Sequence, residues 1–127
     1  MSDLILIVED NEKNMKLARD LLEYHGFTIV TATNAEDGLA LARSKTPQLI
    51  LMDIQLPGMD GVTALAQLRS DPLTAQVPVV AVTASVMRED RERFDKAGFD
   101  GFITKPIDVR AFPQQVRDHV ARGRART

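Results

Sequence analysis

Five short apolar runs, each followed by a stretch with helical spacing, constrain this chain more than any other feature. Leu4-Ile5-Leu6-Ile7-Val8, Phe27 to Ala32, Leu49-Ile50-Leu51-Met52, Val77 to Val82 and Gly101-Phe102-Ile103-Thr104 read as strands. The unbroken runs fit strands buried on both faces of a parallel sheet, where neither side alternates with polar residues. The intervening stretches are long enough for right-handed crossovers, so the chain is expected to be α/β with helices on both faces.

The helical stretches have readable ends. Asn11 is a plausible cap for a first helix with Met15, Ala18, Leu21 and Leu22 on one face, ended by Gly26. Asn34 opens a second helix with acids in its first turn and Leu39 and Ala42 inward, stopped at Thr46-Pro47. Val62, Leu65, Ala66 and Leu68 mark a third, closed near Ser70-Asp71-Pro72. A fourth is expected from a Ser85 cap to Ala97, with Gly98 behind it. Arg88 to Arg93 is all charged, which leaves Met87, Phe94 and Ala97 as its inward stripe. Glu89–Arg93 and Glu92–Lys96 are spaced to pair on its surface, at only about 0.2–0.5 kcal/mol each. A helix docked by so few apolar groups should shift easily. Asp108 can cap a last helix carrying Val109, Phe112, Val116 and Val120. Pro113 conflicts with that start, because an interior proline costs roughly 3 kcal/mol. Either this helix begins later or its first turn is distorted.

A doubly wound five-stranded sheet in the order 2-1-3-4-5 would gather the carboxyl ends of strands one, three, four and five around one crevice. Those ends carry Glu9-Asp10, Asp53, Thr83 and Lys105. Asp53 sits at the centre, between a buried run and the loop residues Leu56-Pro57-Gly58. Three convergent carboxylates repel one another, and a hard divalent cation removes the conflict. Mg²⁺ takes oxygen ligands and keeps several waters, which suits such a set. The assignment is Asp10 and Asp53 as direct ligands, Glu9 direct or through water, and the backbone carbonyl of Gln55. Lys105 is a point cation opposite the acids. Thr83 offers a hydroxyl beside small Ala84, which leaves access open. An acid, a metal, a cation and a hydroxyl make a phosphoryl-transfer site, where catalysis is positioning and charge neutralisation. Asp53 would be the nucleophile and form an aspartyl phosphate. No His or second acid stands where a base for water is needed, so a persistent phosphoprotein is expected and not a turned-over substrate.

Composition narrows the class. With 127 residues, 44% of them hydrophobic, the chain can fill one core without staples. It has no cysteine, so disulfides and thiolate metal sites are excluded. A net charge of -2 provides no basic field for nucleic acid, and direct DNA binding is not expected. No apolar run reaches membrane-spanning length and no signal peptide is visible, so a cytoplasmic protein is the default expectation.

Val8-Glu9-Asp10-Asn11, Asp53 in LILMDIQLPGMDG, VTA ending in Thr83-Ala84, and Lys105-Pro106 together resemble the receiver domain of two-component response regulators, over nearly the whole chain. Each motif alone is weak, and the set in this order is specific. VEDNEKNMKLARDLLE, ILMDIQLPG and PVVAVTA are most similar to stand-alone receivers. The resemblance implies a flavodoxin-like receiver fold and phosphoryl transfer to Asp53 from a phosphohistidine on a sensor histidine kinase or a histidine phosphotransfer protein. It implies a cis Lys105–Pro106 bond, with Thr83, Ala84 and Lys105 around the phosphoryl group. It implies a switch in which Thr83 swings inward and the aromatic Phe102 follows. Phe102 lacks the hydroxyl of the tyrosine common there, so its outward state has no hydrogen bond. A downstream protein would read the face of helix four, strand five and helix five. The expected organisation is one receiver domain over 1–127 with no output domain.

Other readings compete with this one. An aspartyl phosphatase of the haloacid dehalogenase type needs an acid two positions after its nucleophile, and Gln55 stands there. A receiver fragment of a hybrid kinase and a non-phosphorylated module with this fold are the remaining alternatives. Glu9-Asp10 alone could be capping acids, and Phe102 alone a core aromatic. His25 and His119 are expected to be solvated. Arg117, Arg122, Arg124 and Arg126 are expected to form a solvated basic helix end.

Overall fold

The computed structural model describes residues 3–84 and 87–123. Five strands alternate with five helices: β1 (Leu4–Val8), α1 (Glu12–Tyr24), β2 (Thr28–Ala32), α2 (Ala35–Lys45), β3 (Leu49–Asp53), α3 (Gly61–Ser70), β4 (Val79–Thr83), α4 (Arg88–Ala97), β5 (Gly101–Thr104) and α5 (Phe112–Arg122). The sheet is parallel and runs β2-β1-β3-β4-β5, the expected flavodoxin-like order.

Period-two alternation divides the core. Ile5, Ile7, Leu49 and Leu51 face Met15, Ala18 and Leu22 of α1 and Phe112 and Val116 of α5. Leu6, Val8, Ile50 and Met52 face the other way, toward α2, α3 and Phe94 of α4. Burial on both faces is what the unbroken apolar runs require. Fully burying one such side chain stabilises the fold by about 1.5–3 kcal/mol.

Side-chain caps start three helices. Asn11 accepts from the Asn14 N–H at 3.0 Å, Asn34 from the Asp37 N–H at 2.8 Å, and Asp60 from the Thr63 N–H at 2.8 Å. Several boundaries differ from expectation. Phe27 is buried but precedes β2, and β4 begins two residues later than Val77. Ala64, not Ala66, is the buried alanine of α3. Helix α4 starts at Arg88 with Met87 as an N-cap that offers no side chain. Met87 therefore points outward, 62% exposed, and Phe94 is left as the buried residue of α4. The expected Ser85 cap lies outside the described residues. The surface pairs on α4 are Arg88–Glu92 at 3.5 Å and Asp90–Arg93 at 3.6 Å, in place of the two expected pairings.

Pro113 settles the start of α5. The helix begins at Phe112, so Pro113 sits in its first turn, where a missing N–H costs no helical bond. Asp108 caps the preceding turn instead, accepting from the N–H groups of Arg110 and Ala111. Val109 falls in that turn and is exposed.

Candidate active site

The carboxyl ends of β1, β3, β4 and β5 meet at one cleft of about 600 Å³. Asp10, Asp53, Gln55, Thr83, Ala84 and Lys105 all line it. Glu9 and Asp53 are buried and Asp10 is exposed, and one carboxylate oxygen from each lies within 4.8 Å of the others. Among the described residues, that trio is the cluster suited to a metal ion.

Lys105 crosses the cleft and ties two of the acids. Its Nζ lies 2.9 Å from Glu9 Oε1 and 3.1 Å from Asp53 Oδ2. The Lys105–Pro106 peptide is cis, as the resemblance implied. The Lys105 N–H donates to the Thr83 carbonyl at 2.8 Å, which fixes β5 beside the end of β4. The Gln55 N–H donates to Asp53 Oδ1 at 3.0 Å and orients that carboxylate.

One ammonium cannot satisfy two buried carboxylates. Glu9 is pushed up to about 7, first by burial, then by its hydrogen bond and repulsion with Asp53, against the opposing pull of Lys105. Burial works against the charge of Lys105, yet its bonds to Glu9 and Asp53 win and raise its pKa. The pocket therefore holds more negative charge than its lysine balances. Three convergent hard oxygens carrying that excess fit a small divalent cation.

Glycine at 61 is a geometric requirement. A Cβ there would stand 2.8 Å from the carbonyl oxygen of Asp53 and 3.0 Å from Ile54 Cα, both backbone. The bare backbone lets α3 begin against the end of β3, with the Gly61 N–H donating to the Ile54 carbonyl at 2.9 Å. Gly61→Ala should lower stability by about 1–3 kcal/mol through this overpacking. Urea unfolding checks it, and a loss below about 0.5 kcal/mol would mean that the loop yields freely.

One expectation needs correction. His119 is not solvated: it is half-buried over Gly101, where a Cβ would stand 2.5 Å from its Cε1. Burial first, then the charge of Arg122, holds its imidazole below the ordinary range. His25 is exposed, as expected. Arg117 and Arg122 of the basic end are exposed, as expected, with Arg117 5.9 Å from the Phe27 ring centre and Arg122 against His119. Arg124 and Arg126 lie outside the described residues. Phe102 is half-buried against the α3–α4 side of the core, and the Arg91 guanidinium sits 5.0 Å from its ring centre, a contact that the sequence pattern did not suggest.

Six further residues line the cleft: Asn11, Asn14, Ile54, Asp90, Arg93 and Phe94. The Asp60 carboxyl is held below its ordinary range chiefly by the Thr63 N–H, and the Arg93 charge adds to this. The sequence signal for Arg93 was only its place in a charged run, which does not say which charges turn toward the cleft.

A family model for the response regulator receiver domain matches residues 5–117. The chain is 42% identical over 120 residues to the polar-differentiation response regulator DivK of Brucella anthropi, covering 94% of this chain and 98% of that one. It is similar to a CheY-like receiver domain protein from Methanospirillum hungatei, with a TM-score of 0.86, 27% identity and 96% of each chain covered. It is also similar to the receiver domain of a sensor histidine kinase from Pseudomonas aeruginosa, solved with a magnesium ion coordinated in the active-site cleft. There the TM-score is 0.86 at 26% identity, over 95% of this chain and 99% of that one.

Proposed function

The chain belongs to the response regulator receiver family, and we propose that it is a stand-alone phosphoacceptor of a phosphorelay, with Asp53 as the residue that takes the phosphoryl group. The single observation that carries this is the Lys105 ammonium set between the Glu9 and Asp53 carboxylates beside Asp10, at the strand ends. The match spans 98% of DivK, which supports reading this chain as a receiver unit of the same kind.

In the proposed step an oxygen of the Asp53 carboxylate attacks phosphorus, the P–N bond of a phosphohistidine breaks, and the imidazole leaves. The Gln55 N–H and Lys105 hold the Asp53 carboxylate in place. Asp10 and Asp53 would hold Mg²⁺ directly, Glu9 directly or through water, and the Gln55 carbonyl from the loop. When bound, Mg²⁺ offsets the charge of the moving phosphoryl group. Thr83, Ala84 and Lys105 would receive the phosphoryl oxygens. Neither histidine is among the residues lining the cleft, which supports a phosphoprotein product over a hydrolase. The protein is then no enzyme toward external substrates and promotes only its own phosphorylation and dephosphorylation.

The donor would be a sensor histidine kinase or a histidine phosphotransfer protein, in the cytoplasm. Among the described residues, no helix is long and apolar enough to cross a membrane. Thr83 and Phe102 would carry the switch, and a downstream protein would read the α4–β5–α5 face. Acetyl phosphate with Mg²⁺ tests the assignment on phosphate-affinity gels. A base-labile, acid-stable band is expected in the wild type and absent in Asp53→Asn. An equal band in Asp53→Asn would remove Asp53 as the acceptor. No band with acetyl phosphate or with a phosphorylated histidine donor would favour the non-phosphorylated module.

A further inference from the structure

Two of the residues lining the cleft are cations, Lys105 and Arg93. Lys105 is already engaged by Glu9 and Asp53. Against the two cations stand four acids: the trio of Glu9, Asp10 and Asp53, and Asp90 on the cleft wall. A divalent cation in the acidic trio brings the cleft to neutrality only while Arg93 is counted. A phosphoryl donor is an anion, so its approach depends on the charge at the rim of the cleft.

Arg93 is built to be available. Its side chain is 60% exposed, while its guanidinium lies 5.2 Å from the Phe94 ring centre. Phe94 is the buried anchor of α4, so this contact stations the cation at a defined place on the cleft wall. Its partner Asp90 is half-buried and 3.6 Å away, a long pairing. Such pairs contribute little and turn toward a stronger anion at small cost. A guanidinium presents two parallel N–H donors that match phosphate oxygens, which a lysine cannot do.

We propose that Arg93 is a second phosphate-binding residue of the cleft, which captures the oxygens of the incoming phosphoryl donor at the rim before transfer to Asp53. This rests on the phosphoacceptor reading and adds a donor-binding residue to it. With acetyl phosphate, an Asp53 oxygen bonds to phosphorus, the P–O bond to the acetyl group breaks, and acetate leaves. Arg93 gives up no proton and forms no covalent bond. It acts on donor binding, so its loss should weaken saturation more than it slows the bound step.

Arg93→Gln and Arg93→Lys would be compared with wild type in labelling by acetyl phosphate, a dianion, and by phosphoramidate, a monoanion, at 50 and 300 mM KCl. Arg93→Gln should raise the half-saturating acetyl phosphate concentration roughly 10-fold, as for loss of one charge-assisted contact, with the maximal rate within about twofold. Arg93→Lys should recover part of that loss. Phosphoramidate should show a smaller change, and the salt dependence should flatten in Arg93→Gln. Matching thermal midpoints would exclude a folding defect. NMR titration with acetylphosphonate, which carries a similar anion but cannot transfer it, should show the same weakening in Arg93→Gln. Wild-type half-saturation and salt dependence in Arg93→Gln, or unchanged acetylphosphonate binding, would overturn the proposal. Labelling that fails in wild type with these donors and with a phosphorylated histidine donor, while acetylphosphonate binding still depends on Arg93, would remove the phosphoacceptor reading and leave the anion site.

Discussion

Replacing Asp100 by alanine should lower the unfolding free energy by about 3–5 kcal/mol, the range for breaking a buried ion pair from one side. The Asp100 side chain is 2% exposed, and its Oδ2 accepts from Arg69 and from the Val79 N–H, each at 2.8 Å. Arg69 extends the same network, donating to the carbonyls of Ala75, Val77 and Gly98. One carboxylate thus fastens the end of α3, the start of β4 and the turn into β5. Its removal strands a guanidinium that is 18% exposed and leaves the Val79 N–H without that acceptor. The partial exposure of Arg69 keeps the loss near the lower end of the range. A fall in melting temperature of roughly 10–20 °C follows for a chain of this size. Urea unfolding gives the value directly. An Arg69→Met/Asp100→Ala pair should recover part of the loss, because the stranded charge is gone. A loss below about 1 kcal/mol in Asp100→Ala would show that this network does not hold the three segments together.

Without a bound metal, the protein should become less stable as pH rises through neutrality, and Glu9 should be the cause. Its carboxyl is pushed up to about 7 by burial and then by Asp53, while an ordinary glutamate titrates near 4.5. Between those values the folded chain keeps a proton that the unfolded chain has lost. The stabilisation is complete below about pH 4.5 and is lost as pH climbs through about 7. The gap corresponds to about 3 kcal/mol. His119 acts in the opposite sense. Burial and Arg122 hold its imidazole below 6.5, so its contribution grows as pH rises. Glu9→Gln leaves His119 untouched, and the difference between the two proteins isolates Glu9. In EDTA, urea unfolding at pH 5 and pH 8 should show the wild type losing about 2–2.5 kcal/mol more than Glu9→Gln, the part of the gap that this window spans. Saturating Mg²⁺ should flatten the wild-type profile, because a cation at the trio favours ionised Glu9. Parallel profiles for wild type and Glu9→Gln in EDTA would overturn this assignment.

The sheet and the strand-end residues were legible because each depends on a local signal. An apolar run that stops at a carboxylate names both a buried strand and the residue at its mouth. The ends of α4 and α5 were harder. Asp108 has the side chain of a helix cap and makes a cap's hydrogen bonds, but in a turn that precedes the helix. Pro113 carried the correct start. Met87 fits the apolar spacing of α4, yet the helix begins after it, so its direction is set by the turn and not by helical period. Arg93, Arg91 and His119 were illegible for a different reason. Their partners are the cleft, Phe102 and Gly101, and each contact exists only once a second element is in place. Gly101 leaves the space that His119 fills, and nothing in the local pattern joins those two positions.

Helix α4 keeps one side chain fully inside, Phe94. Most of its remaining positions therefore answer to solvent, and substitutions there alter the fold's stability only slightly. Such a helix can diverge after gene duplication while the chain keeps folding. Copies of one ancestral module can then acquire different recognition codes on the same helix, which keeps parallel pathways in one cell from exchanging signals. Arg93 would be the exception, a position on that face held by the chemistry of the cleft while its neighbours drift.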